Sequence, residues 1–95
     1  MTRELPPPAA SGSVTDNQSK NRFELSANDD TAFLLYRRTA DALTLVHTEV
    51  PRALRGRHLG EALVEAALRS AHSAGLRINA VCPFVREYMR RHPEA

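Results

Sequence analysis

A single cysteine in 95 residues excludes an internal disulfide framework and a cysteine-rich zinc site. A lone thiol also fits a reducing, cytoplasmic setting. No unbroken apolar run approaches the ~20 residues that a bilayer requires, so no membrane span is expected. Tryptophan is missing, and two tyrosines and three phenylalanines are the only aromatic side chains. Large excess charge is missing too: 13 Lys and Arg stand against 11 Asp and Glu, a formal net charge of +2. That balance does not imply a nucleic-acid partner, although most cations are Arg, the side chain suited to bidentate phosphate contacts. No secretory h-region and no internal repeat are visible. What is left has room for one small soluble domain with a modest core, to whose stability a bound ligand or a second subunit can contribute.

The stretch from Met1 to about Lys20 holds Pro6, Pro7 and Pro8 and few bulky apolar residues, so it reads as a disordered tail ahead of a domain over 21–95. From Asn21 the pattern is that of strands. Arg22 to Ser26 alternates, Asn28-Asp29-Asp30 suits a hairpin turn, and Ala32 to Arg38 is the second strand. Thr39-Ala40-Asp41 turns again, and Ala42 to Val50 is expected to be the third and most buried strand, ended by Pro51.

The period then changes to 3.6. Leu59, Ala62, Leu63, Ala66, Ala67, Ala71 and Ala74 form one stripe, with Glu61, Glu65 and Arg69 opposite, and Gly75 suits the helix end. Leu76 to Val81 reads as a fourth strand, and Pro83 opens a second helix expected to turn Phe84, Val85, Tyr88 and Met89 inward. The order βββαβα predicts an α+β fold: an antiparallel meander, then a crossover to a strand that pairs in parallel.

Pro51 to Gly60 (PRALRGRHLG) has the composition of an anion site. A helix start leaves amides unpaired and carries partial positive charge, Gly56 and Gly60 permit close backbone approach, and Arg52, Arg55 and Arg57 add charged donors. The segment lacks the endings of a P-loop or a dinucleotide fingerprint. Candidates for proton transfer or nucleophilic chemistry surround it. His47 and Glu49 lie two apart on one strand and share a face. Cys82 precedes a proline-started helix, a setting that lowers a thiol pKa. Tyr88 lies on that helix, placed to pack beside Phe84. His72 and His92 have no second ligand at metal spacing, so no metal is expected. Arg86, Arg90 and Arg91 form a basic helix face, read as solvated.

Arg55-Gly56-Arg57-His58-Leu59-Gly60 resembles the Q/R-x-x-G-x-G/A loop of the Gcn5-related N-acetyltransferases. With the later CPFV-x-x-Y-x-x-x-HPE run, the chain resembles the small single-domain, YjdJ-type branch of that superfamily. The resemblance implies a cleft for acetyl-CoA, opened where two parallel strands splay. The backbone near Glu49 and Val50 would hold the pantetheine arm, and Arg55, Gly56, Arg57, His58, Leu59 and Gly60 the diphosphate. It implies direct transfer of acetyl to an amine of a small molecule, peptide or protein, with Glu49, His47, Cys82 and Tyr88 as candidate catalytic groups. One position departs from the pattern: the family's first glycine of G-x-G is His58. Two other functions fit the residues, a non-catalytic acyl-CoA-binding module and a small basic nucleic-acid-binding domain. The latter is disfavoured because no aromatic residues interleave the basic ones.

Overall fold

Alternating burial carries the sheet. The structure, a computed structural model, describes residues 14–27 and 29–93. Five strands are ordered β1-β2-β3-β4-β5, with β1 (Thr15–Asn17), β2 (Arg22–Ala27), β3 (Asp30–Arg38), β4 (Ala42–Glu49) and β5 (Arg77–Ala80). The first four run antiparallel and β5 pairs in parallel with β4. The helices are α1 (Leu59–Ala74) and α2 (Pro83–Arg91), so the architecture is the expected α+β. Phe23 and Leu25 on β2, Ala32, Leu34 and Tyr36 on β3, and Leu43 and Leu45 on β4 are all buried and face one way. Together with buried residues of both helices they make a single core. Both helices therefore cover the same side of the sheet. Among the described residues the other side is bare of helices: there Arg22 lies 4.5 Å over the Phe33 ring and pairs with Glu24.

Several expectations need correction. The stretch up to Lys20 does not all lie outside the fold: residues 1–13 are not among those described, but Thr15–Asn17 pair with β2. This edge strand is held by polar contacts rather than burial. Tyr36 donates to Asp16 at 2.6 Å, and Asn17 donates to Glu24 at 3.1 Å. Burial, reinforced by the Asp16 carboxylate, pushes the Tyr36 hydroxyl up to about 12. The β2–β3 turn closes one residue earlier than expected, since Asp30 already pairs with Ala27 and Asp29 takes the left-handed conformation at φ 69°.

The stripe on α1 is wider than the heptad-like spacing implies. Gly60, Val64 and Leu68 are buried as well as Leu63 and Ala67, whereas Ala74 is exposed. The helix is covered on two flanks, by the sheet and by α2. On α2, Val85 and Tyr88 turn inward as expected and Met89 is half-buried, but Phe84 is 39% exposed. Gly75 ends α1 in the left-handed conformation with its amide bonded back to Ala71 and His72.

Candidate active site

The site begins with a miscount between two strands. Leu35 pairs with His47 but Tyr36 pairs with Leu45, so Val46 is an extra residue in β4. Such a bulge reverses the alternation of the strand. Before it, Leu43 and Leu45 face the helices; after it, Thr48 does so opposite Leu34, and His47 and Glu49 face the bare side opposite Leu35 and Phe33. His47 Nε2 and Glu49 Oε1 are 3.0 Å apart on that face. β4 is thus buried only over its first half, and the expectation that it is the most buried strand holds only up to the bulge.

The parallel ladder also stops there. Pairing with β5 ends at Leu45 and Ala80, and the amides of Val81 and Cys82 both donate to the Leu45 carbonyl at 3.0 Å. Past this point the chain turns into α2 while β4 runs on, so Val46 to Glu49 have no β5 partner. The resulting gap opens on a cavity of about 410 Å³. It is lined by Thr48, Glu49 and Val50 at the end of β4, by Leu54, Arg55, Gly56 and His58 of the following loop, by Leu59, Gly60 and Glu61 of α1 and by Phe84 of α2.

The loop that leads from β4 to α1 is anchored and left-handed. Pro51 leads into a single 3-10 turn, Arg52–Leu54, whose Leu54 is fully buried. Arg55 Nε donates to the Val50 carbonyl at 3.1 Å, tying the loop to the strand end. Gly56 has φ +85° with open space where a Cβ would sit, so the glycine is required by backbone conformation alone. His58 lies at φ 61°, ψ 28°, the left-handed conformation a glycine would adopt, so the departure from the motif preserves the backbone path. Its ring turns outward, 80% exposed, with Nδ1 2.7 Å from Glu61 Oε1. No side chain caps α1; its ladder begins with Ala62 N to His58 O, which leaves the amides of Leu59, Gly60 and Glu61 without helical acceptors.

Thr48 links this cavity to the thiol. Its Oγ1 is 3.5 Å from Cys82 Sγ, and Cys82 itself is 4% exposed. Burial pushes the Cys82 thiol up, but the Thr48 hydroxyl and the backbone amides of Val85, Phe84 and Thr48 favour the thiolate, and the net value lies below that of an ordinary thiol. Cys82 is the N-cap of α2, although its side chain closes no capping hydrogen bond. Tyr88 is placed differently from its expected role: its hydroxyl donates to Glu65 Oε2 of α1 at 3.1 Å, and its ring stacks on His92 at 4.3 Å.

The cavity therefore brings together Glu49, Val50, Arg55, Gly56, His58, Leu59 and Gly60 from the sequence-derived set. His47 touches Glu49 at its mouth, Cys82 lies behind Thr48, and Arg57 and Tyr88 do not line it. Sequence reasoning missed Thr48, Leu54, Glu61 and Phe84 as lining residues. No group of three or more His, Cys, Asp or Glu suited to a metal is present among the described residues, and no described helix is long and apolar enough to cross a membrane.

A splayed parallel pair, a strand bulge and an uncapped helix start with a glycine-containing loop form a recognisable set. A sequence profile described as GCN5-related N-acetyl-transferase matches residues 22–95. The chain belongs to the GCN5-related N-acetyltransferase family. Among curated relatives, Protein NATD1 of Xenopus tropicalis is 32% identical over 92 residues, covering 90% of this chain and 82% of the relative. Protein NATD1 of Mus musculus is 31% identical over 83 residues, covering 84% and 76%. The Homo sapiens protein of that name is 31% identical over 83 residues, covering 84% and 74%. As an acetyltransferase-family domain of one mixed sheet and two helices, this chain carries the fold that the sequence motifs imply.

Proposed function

We propose that this chain transfers an acetyl group from acetyl-CoA to an amine by direct attack in a ternary complex. The observation that carries this reading is the cavity between the splayed half of β4 and the start of α1. Free helix-start amides and the Arg55 guanidinium suit a diphosphate at one end. The unpaired edge of β4 suits the amides of a pantetheine arm, and Thr48 and Glu49 meet the acyl end.

The acceptor nitrogen must lose a proton as it bonds to the thioester carbonyl carbon. Glu49, in the cavity wall and hydrogen-bonded to His47 on the bare sheet face, takes that proton directly or through water and shares it with the imidazole. The carbon–sulfur bond then breaks and the thiolate leaves with the electron pair. Tyr88 is committed to Glu65, so solvent supplies the proton to the leaving sulfur. Because no described helix roofs the face carrying His47 and Glu49, an amine on a peptide or protein can approach as readily as a small molecule.

The lowered Cys82 thiol supports a second reading, in which acetyl passes first to Cys82 Sγ. Mass-spectrometric detection of acetyl on Cys82 during turnover, with activity lost in Cys82→Ala, would select it. Retained activity in that variant, with loss in Glu49→Gln, selects direct transfer. Millimolar acetyl-CoA is expected to raise the melting temperature by several degrees and to perturb the amides of residues 57–60 first. An unchanged melting temperature would overturn the reading. Binding without acetylation of any amine in a broad panel would make the chain a non-catalytic acyl-CoA-binding module, and salt-sensitive DNA or RNA binding with that turn silent would make it a nucleic-acid-binding domain.

A further inference from the structure

Four of the five aromatic rings have an evident partner. Phe23 packs on Tyr36 at 5.1 Å, Phe33 lies under Arg22, and Tyr88 stacks on His92. Phe84 has no ring or cation partner among the described residues. It is 39% exposed, it is the only α2 residue in the cavity wall, and its ring edge lies on Gly60. A methyl group added at Gly60 would stand 3.0 Å from Phe84 Cζ, 3.1 Å from Phe84 Cε2 and 3.7 Å from Val50 Cγ2. Gly60 sits inside α1 and is absent from the positive-φ residues, so the backbone conformation does not demand glycine there, in contrast to Gly56. The ring demands it. Phe84, Gly60 and Val50 meet in the cavity wall.

We propose that Phe84 is the wall that holds the pantetheine arm against the splayed end of β4, and that position 60 is glycine to seat this ring rather than to admit a phosphate. The inference rests on the acyl-CoA reading above and deepens it. An extended arm running along the splayed end of β4 would lie against the exposed ring face, which loses water as the arm arrives. The first turn of α1 then serves two neighbours, with its amides toward the diphosphate and its bare Cα toward Phe84.

Calorimetric titration of the full chain with CoA and with adenosine 3′,5′-bisphosphate, which has no arm, tests this. Phe84→Ala should weaken CoA about tenfold while leaving the bisphosphate within about twofold, and Phe84→Leu should fall between. Gly60→Ala should weaken CoA several-fold with Phe84 present and less than about twofold in the Phe84→Ala background, because the two changes share one contact. Equal weakening of both ligands by Phe84→Ala, or an equal Gly60→Ala effect in both backgrounds, would overturn the proposal. CoA affinity indifferent to Phe84 would also overturn it and leave the acyl-CoA reading standing. A wild-type chain that binds no CoA would remove both. Melting curves of each variant establish that it folds; should Gly60→Ala fail to fold, the Phe84 series with two ligands decides alone.

Discussion

The two helices begin alike and are used differently. Neither helix start is closed by a side-chain capping bond, so the first-turn amides of both are turned toward what lies beyond the helix end. At α1 the cap is His58, exposed and left-handed, and the free amides face a cavity with Arg55 at its rim. At α2 the cap is Cys82, 4% exposed, Pro83 has no amide to offer, and the nearby donors favour the sulfur of the chain itself. A helix start left open to an outside anion becomes a binding surface, whereas one closed on a thiol becomes a means of setting proton affinity. The same partial charge performs both tasks; what surrounds it decides which.

The largest effect should come from unseating the open start. Leu54→Ala removes the fully buried anchor of the loop and should cost about 3 kcal/mol, lowering the melting temperature by more than ~10 °C and abolishing CoA binding. A loss under ~5 °C would mean that the loop is held otherwise. At the closed start, Thr48→Val removes the hydroxyl that favours the thiolate and should raise the pH at which Cys82 ionises, read from thiolate absorbance at ~240 nm against pH. Because the folded thiol titrates low, it contributes stability above the unfolded thiol pKa and loses it as pH falls through the folded value. Thr48→Val should shrink that contribution; an unmoved titration would assign the shift to the α2 amides alone. Gly56→Ala should cost about 1 kcal/mol, from φ +85° alone, with no steric clash. Denaturant midpoints check this, and a cost above ~3 kcal/mol would reveal a contact. His58→Gly should have the smallest effect, a gain of up to about 1 kcal/mol from relieving the left-handed residue, with CoA affinity preserved. A stability loss would show that the His58–Glu61 contact outweighs the strain.

Much of this comparison was legible in residue order. Period-2 and period-3.6 patterns marked the strands and α1, Pro83 and Gly75 marked helix ends, and the glycine–arginine loop marked the open start. The bulge shows only indirectly: strict alternation from Leu43 and Leu45 would send His47 and Glu49 into the core, while Val46 itself is β-branched and apolar like any strand residue. The edge strand Thr15–Asn17 escaped notice because hydrogen bonds hold it and hydrophobic pattern does not. Phe84 and Tyr88 carry no sequence sign of which face of a nine-residue helix meets α1 and which meets the cavity. That depends on where α2 docks, a property of the assembled core.

The extra residue at Val46 makes the polarity of the site a matter of arithmetic. Were Val46 to pair with Leu35, leaving no residue over, the strand end would transpose, sending an imidazole and a carboxylate among leucines and a hydroxyl out to water, with no change in the residues themselves. What distinguishes a reactive edge from a misfolded one here is therefore whether Val46 is left out of the pairing with β3.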